Sequence, residues 1–279
     1  NLKKTSSFGS NVNTFALWTS GFVIAFLIFL GINEYNNVGK FRNGPTPQKS
    51  DNKDKARSLY IRGKNFYDLE DYKNAIRVFD QCIKLDPKHD DARFKRGWSY
   101  YYTGDYNNAK RDASPLVKRK GYMQHYRLSA WTFYQTKDWQ AAIEHFDHVL
   151  RLADKTPKKG KDYLYSAWSN FHTDKNDDAL MNFESAQKIF YEYDEDKHKT
   201  QLADCHFGRA QVYWKKNNFR MAYNDINDAL SFFPEKEDYL FFLGNYWVKK
   251  KKFDRACKTY SSISNPGSAI KKKIQKHCR

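Results

Sequence analysis

Residues 56–87 read ARSLYIRGKNFYDLEDYKNAIRVFDQCIKLDP, and their pattern indicates the fold class of the chain. Its apolar residues recur at helical spacing, which predicts two amphipathic helices. Gly63 and Ala75 are small, as two helices that cross in close contact require. The second helix is entered at Asp71, and Pro87 ends the unit because proline cannot continue a helix. The stretch therefore predicts a helix–turn–helix unit.

The same pattern returns five more times along the chain. The further units are predicted to begin near Asp90, Met123, Gly160, Ala203 and Glu237. A repeat of this period predicts a solenoid, in which each unit buries its apolar face on the next. In the second unit, Pro115 predicts a kinked or shortened helix. The wider spacing after the fourth unit predicts a longer helix or an added loop around residues 191–200.

The strongest unit can be compared with a known repeat family position by position. Its positions 4, 8, 11, 17, 20, 24, 27 and 32 hold Leu59, Gly63, Phe66, Tyr72, Ala75, Phe79, Cys82 and Pro87. This pattern resembles the tetratricopeptide repeat (TPR), a helix–turn–helix unit of about 34 residues. The resemblance covers residues 56–268 and implies an all-α solenoid of about six repeats with a concave inner face. Residues 269–279 are predicted to form a basic tail that caps the last repeat.

The resemblance also implies where a partner binds. In the family, positions 5, 9 and 12 of the first helix of each repeat point into the concave groove. Those positions are mostly aromatic in this chain, which predicts a groove for a helix or an extended segment of a partner protein. The predicted groove residues are Tyr60, Phe94, Trp98, Tyr101, Trp131, Tyr134, Trp168, Phe171, Phe207, Trp214 and Phe241. The alternative is that these rings pack between neighbouring first helices as part of the core.

One function of the family depends on specific residues. Adaptors for chaperone tails hold a C-terminal carboxylate with Lys and Asn of the first repeat, Asn of the second, and Lys and Arg of the third. The corresponding residues here are Tyr60, Lys64, Lys95, Gln124 and Leu128. The clamp is absent, so binding of chaperone tails by that mechanism is not expected.

Residues 15–32 read FALWTSGFVIAFLIFLGI and carry no charge. As a helix this segment would be about 27 Å long, close to the roughly 30 Å hydrocarbon core of a bilayer. It predicts a transmembrane helix, with a polar segment at 1–14 before it and a linker at 33–55 after it. A signal peptide is less favoured because the apolar run is long and no A-x-A-like site follows. A buried interface helix is the other alternative.

The chain is strongly basic, with 49 Lys and Arg against 32 Asp and Glu and a formal net charge of +17. From Lys249 to Arg279 the sole acidic residue is Asp254. Such a surface attracts anionic lipid, acidic protein or nucleic acid. The predicted basic surface comprises Lys249, Lys250, Lys251, Lys252, Lys271, Lys272 and Lys273. The alternative is a face that only keeps the protein in solution.

Motifs for chemistry are absent from the sequence. There is no phosphate-binding glycine loop, H-E-x-x-H or nucleophile elbow. His145 and His148 are three residues apart, but no further ligand completes a metal site. We therefore predict no enzyme activity, no catalytic residue, no metal and no cofactor. The four cysteines have no regular spacing, which favours a reducing compartment over a disulfide framework.

These observations predict a membrane-anchored scaffold without enzyme activity. Its predicted role is an accessory or assembly subunit of a membrane complex, such as a respiratory-chain complex of the mitochondrial inner membrane. The predicted localisation is a single-pass protein of a mitochondrial membrane. The predicted partners are protein subunits in the groove, the membrane through residues 15–32, and anionic lipid, whereas nucleic acid is not favoured. Two alternatives stay open: a receptor or adaptor in protein import or secretion, and a membrane-tethered factor that binds nucleic acid or ribosomes.

Overall fold

The computed structural model describes residues 48–119, 121–152, 156–264 and 266–278. These residues form thirteen α-helices and one 3-10 turn, with no strand in the described ranges, which confirms the predicted all-α solenoid class. The helices are α1 Gln48–Asp68, α2 Tyr72–Leu85, α3 Asp90–Tyr102, α4 Tyr106–Arg119, α5 Met123–Gln135, α6 Trp139–Leu152, α7 Pro157–His172, α8 Asn176–Tyr193, α9 Lys199–Lys215, α10 Phe219–Phe232, α11 Glu237–Lys249, α12 Phe253–Ser261 and α13 Ser268–His277. The 3-10 turn Asp196–His198 lies between α8 and α9.

The first twelve helices form six consecutive pairs, one for each predicted repeat. In every pair the second helix begins at position 17 of its repeat. From α3 onward each helix packs against the next one along the chain. The first helices α3, α5, α7 and α9 also pack against one another in that order, so they share one face of the compact unit Asp51–Arg279. We call this face, which carries positions 5, 9 and 12, the inner face.

Each turn between the two helices of a repeat contains a residue with positive φ at position 15. These residues are Glu70, Gly104, Lys137, Asp174, Asn217 and Lys251, with φ between 57° and 81°. The next residue donates its backbone N–H to the carbonyl of position 11, as Asp71 does to Phe66 at 2.9 Å. This bond satisfies a carbonyl at the helix end. Because this backbone turn recurs at the same position in all six repeats, it supports the predicted register of the repeats independently of the side chains.

The core lies between the two helices of each repeat and between neighbouring repeats. In the first and last repeats, the glycine at position 8 faces position 24 of its own repeat. A Cβ added to Gly63 would lie 2.6 Å from the Phe79 ring, and one added to Gly244 would lie 2.2 Å from the Tyr260 ring. Both rings are fully buried. The expectation that Gly63 is small because two helices cross closely is therefore confirmed.

Gly208 makes a comparable contact between repeats, because an added Cβ would lie 2.1 Å from Cζ of Phe183. We expect Gly208→Ala to lower the free energy of unfolding by up to about 2 kcal/mol, since overpacking costs about 1–3 kcal/mol and the better helix propensity of alanine offsets about 1 kcal/mol of this. Urea unfolding followed by circular dichroism measures this. Shortening the ring with Phe183→Leu should reduce the cost of Gly208→Ala. An equal cost in both backgrounds would show that the ring contact is not its cause.

Three elements differ from the sequence-based expectations or refine them. Helix α1 begins at Gln48, so residues 48–55 are helical, whereas the sequence predicts a linker there. Helix α4 continues through Pro115 to Arg119 and does not end early. After the fourth repeat, both expected changes occur, since α8 has 18 residues and the 3-10 turn follows it. The boundary between the repeats and the C-terminal tail, at residues 268/269, stays a prediction.

The predicted membrane localisation requires correction. Within the described residues, none of the helices has the length and apolar character needed to cross a bilayer. This finding contradicts the predicted localisation, a single-pass protein of a mitochondrial membrane. The segment 15–32, which was assigned to the transmembrane helix, lies outside the described residues.

Candidate functional site

The aromatic residues predicted for the groove are in two states of burial. Trp98, Trp131 and Phe171 are each 8% exposed, and the other eight are half-buried. The rings of Trp98 and Trp131 meet edge to face with centroids 5.6 Å apart. These three rings are buried among neighbouring helices and leave little surface open to a partner.

Trp131 is also fixed by hydrogen bonding to the next repeat. Its indole N–H donates to Oδ1 of Asp162 at 2.8 Å, and Arg127 donates from Nε to Oδ2 of the same carboxylate at 2.8 Å. Asp162 is fully buried and Arg127 is 8% exposed. Arg127 and Trp131 occupy groove positions 5 and 9, yet both serve the contact between repeats.

Half-buried rings cover the middle of the inner face. Tyr134 stacks on Tyr165 with centroids 4.7 Å apart, and Tyr101 accepts a hydrogen bond from Gln135 at 3.1 Å. Burial raises the pKa of the Tyr101 and Tyr134 hydroxyls. The rings in this region are therefore engaged mainly with one another.

A pocket of about 430 Å³ opens on the inner face near its C-terminal end. It is lined by Trp214, Phe241, Phe242, Asn245, Val248, Lys249 and Lys273. Trp214 and Phe241 are predicted groove residues, and Asn245 and Val248 occupy positions 9 and 12 of the last repeat. The family pattern thus identifies four of the residues that line the pocket. The pattern does not include Phe242. Lys249 and Lys273 belong instead to the predicted basic surface.

The aromatic wall of the pocket is held by ring contacts. Trp214 of α9 meets the ring of Phe219 at 5.1 Å and that of Phe242 at 5.4 Å, both edge to face. At the base of the wall, the Tyr260 hydroxyl donates to Oδ1 of Asn245 at 3.0 Å. Burial raises the pKa of Tyr260 to about 12, so this hydroxyl keeps its proton at neutral pH. Asn245 therefore has a fixed partner for its carbonyl oxygen.

The C-terminal helix α13 supplies Lys273 to the pocket. Ile270 of this helix is buried in a cluster with Leu240 and Tyr260. A disulfide between Cys257 of α12 and Cys278 ties the end of α13 to the last repeat. The cysteine spacing did not predict this disulfide.

Within the described residues, His206, Asp225 and Asp228 form a cluster whose possible ligand atoms lie within 4.8 Å of one another. His206 Nδ1 lies 3.1 Å from Oδ1 of Asp225, and Arg209 Nε lies 3.4 Å from its Oδ2. The buried carboxylate thus has a hydrogen bond with His206 through Oδ1 and an ion-pair contact with Arg209, while its Oδ2 has no hydrogen-bond partner among the described residues. These interactions join α9 to α10.

The comparisons with known proteins agree with this fold. Two models of the tetratricopeptide repeat match residues 56–89 and 94–157. A DnaJ homolog subfamily C member 7 homolog from Dictyostelium discoideum is 23% identical over 179 residues, which are 63% of this chain and 28% of that protein. The structure of pilF from Pseudomonas aeruginosa has a TM-score of 0.61 at 13% identity and covers 80% of this chain and 98% of its own. YrrB, described as a TPR protein with an unusual peptide-binding site, has a TM-score of 0.57 at 14% identity, covering 73% of this chain and 95% of its own.

The fold defines this protein as a helical-repeat solenoid. Residues 56–89 and 94–157 match models of the tetratricopeptide repeat, and the described residues have the fold of solved proteins built from such repeats. Proteins with this fold are generally non-catalytic scaffolds that bind other proteins. The matched stretch spans little more than a quarter of the Dictyostelium relative.

Proposed function

We propose that this protein is a TPR scaffold that binds a segment of a partner protein in the pocket between α9, α11 and α13. In this role it is an accessory or assembly subunit of a protein complex and has no catalytic activity. The observation that carries the proposal is the pocket, which opens beside Trp214 while the middle of the inner face is filled by its own rings. A peptide-binding site in YrrB, a protein of the same fold, supports it.

The pocket suits an apolar side chain of the partner. Trp214, Phe241, Phe242 and Val248 present mostly carbon surface to a space of about 430 Å³. Burial of one Leu or Phe side chain in such a space contributes about 1.5–3 kcal/mol. Aromatic residues that are already fixed by neighbours lose little freedom on binding, which makes them effective anchor sites.

A selection of random twelve-residue peptides, displayed on phage and captured on the immobilised full chain, tests the proposal. Peptides that bind should lose at least tenfold in affinity when Trp214 is replaced by alanine, a loss of about 1.4 kcal/mol or more. Fluorescence polarisation with labelled synthetic peptides measures the affinity. The loss is expected because the indole forms one wall of the pocket.

Tyr67→Ala is the matched control, because Tyr67 occupies the same position 12 in the first repeat and does not line the pocket. This variant should bind the selected peptides as the unmodified chain does. If no selected peptide depends on Trp214, or if Tyr67→Ala weakens binding equally, the pocket is not the binding site.

A further inference from the structure

The geometry points to an acidic partner: we propose that the pocket binds a segment in which Asp or Glu lies beside the apolar anchor. This inference rests on the proposed function and names the chemistry of the ligand. The carboxylate would be held by Lys249 and Lys273, which line the pocket from two different helices.

The two pocket lysines lack counter-charges. Neither forms an ion pair with any described residue, although other lysines do, such as Lys215 with Asp174 at 2.8 Å. Lys249 is exposed and lies 5.4 Å from the centre of the Phe219 ring, and Lys273 is half-buried. The pocket therefore places two uncompensated positive charges beside an apolar wall, where a carboxylate is attracted more strongly than in open water.

The surroundings of the pocket carry the same sign of charge. Residues 250–252 are exposed lysines that follow α11, and Lys271 and Lys272 are exposed on α13. Asp254 is the one acidic residue between Lys249 and Cys278. Lysines within about 10 Å, the screening length at 0.1 M salt, add to the local potential. An acidic segment would be drawn to this end of the inner face, and a basic segment would be repelled.

Asn245 adds a directional donor. Its Oδ1 accepts a hydrogen bond from the Tyr260 hydroxyl. Its N–H₂ group is therefore the part that can donate a hydrogen bond to a ligand. A carboxylate can accept from this amide and from the two ammonium groups together. A carboxamide offers only one acceptor oxygen, and its N–H₂ group has no acceptor to meet on a lysine. Hydrogen bonds between charged groups are also about twice as strong as neutral ones, so the site distinguishes Glu from Gln.

The ring geometry favours a peptide over a nucleic acid. Sequence-tolerant binding of single strands needs exposed ring faces on which bases stack. Trp214 meets Phe219 and Phe242 edge to face, and the three rings form a packed wall. A nucleic acid whose phosphates followed the exposed lysines would gain no base stacking from this wall.

The test uses the peptides selected on the full chain, restricted to those that need Trp214. Their sequences should carry Asp or Glu within three residues of an aromatic residue or Leu. Copies with every Asp and Glu replaced by Asn and Gln should bind the unmodified chain at least tenfold more weakly. In the variant Lys249→Gln with Lys273→Gln, original and amide copies should bind with similar affinity. The matched control, Lys251→Gln with Lys272→Gln, removes two nearby charges outside the pocket lining and should keep most of the difference.

The outcomes separate the two proposals. If no selected peptide needs Trp214, the proposed function fails and this inference fails with it. If peptides need Trp214 but are neutral or basic, or if their amide copies bind equally well, the pocket stands and the acidic ligand is wrong. If poly(U) RNA or phosphatidylserine vesicles displace the peptide more strongly than free acidic peptide does, and need Lys249 and Lys273 to do so, the site is for a phosphate ligand and the inference is overturned.

Discussion

Replacing Arg127 with methionine should lower the free energy of unfolding by about 3–5 kcal/mol, the usual loss when one partner of a buried ion pair is removed. Arg127 donates to Asp162, which is fully buried at the contact between the third and fourth repeats. Without the guanidinium, this carboxylate keeps the Trp131 N–H as its remaining partner. Urea unfolding followed by circular dichroism measures the loss. Methionine keeps most of the side-chain volume, so the change in charge dominates.

Two variants identify the cause of that loss. Lys64→Met removes an exposed pair with Asp68 and should cost less than about 1 kcal/mol, because surface ion pairs contribute little. Combining Arg127→Met with Asp162→Asn should restore much of the stability, since asparagine is neutral and still accepts from Trp131. A cost of Arg127→Met no larger than that of Lys64→Met would show that the buried pair does not hold the repeats together.

The same variant has a predicted pH dependence. Burial raises the pKa of Asp162 even though Arg127 and Trp131 both stabilise the carboxylate. An acid with a raised folded-state pKa contributes its full stability below its unfolded pKa of about 3.9, and loses it as the pH rises through the folded value. Without Arg127 the folded pKa rises further. The stability deficit of Arg127→Met should therefore be smaller at pH 4 than at pH 7, and an equal deficit at both would contradict the mechanism.

The fold was predictable because the repeat pattern and local physics agree. The small residue at position 8 and the start of the second helix at position 17 are both visible in the sequence. Pro115 shows where local rules were insufficient. Ala113 and Leu116 on either side of it are fully buried. Their burial maintains α4 through the proline, since tertiary packing overrides local propensity. The helical stretch before Ala56 was missed because residues 48–55 are polar and have no apolar period.

The site was predictable only in part, because position within a repeat does not determine burial. Trp131 and Trp214 satisfy the same groove pattern, but the next repeat offers Asp162 to Trp131, whereas Trp214 faces a pocket. One sequence does not show which aromatic residue will meet a buried acid 31 residues further on. Lys273 lines the pocket because α13 folds back on the last repeat. No repeat pattern predicts that contact.

Breaking the disulfide should have the second large effect on stability. Cys257 and Cys278 are 21 residues apart, and closing a loop of that length stabilises a folded protein by about 3 kcal/mol in the chain-entropy account. Cys257→Ser should therefore lower the stability of the last repeat by about this amount. Because α13 buries Ile270 and supplies Lys273, its loosening should also expose the Ile270 amide to hydrogen exchange.

The two cysteines serve as controls for each other, because removing either one breaks the same disulfide. Cys278→Ser should cost as much as Cys257→Ser, and the double variant should cost little more than either, which is the non-additivity of a shared interaction. Dithiothreitol should destabilise the unmodified chain and leave both variants unchanged. The free cysteines Cys82 and Cys205 are buried in other repeats and are common to all four proteins. Two results would show that α13 is held by its apolar contacts alone. One is a double variant whose loss of stability is the sum of the two single losses. The other is an α13 that stays protected from hydrogen exchange when the unmodified chain is treated with dithiothreitol. The pocket would then keep Lys273 whatever the redox state of the cysteines.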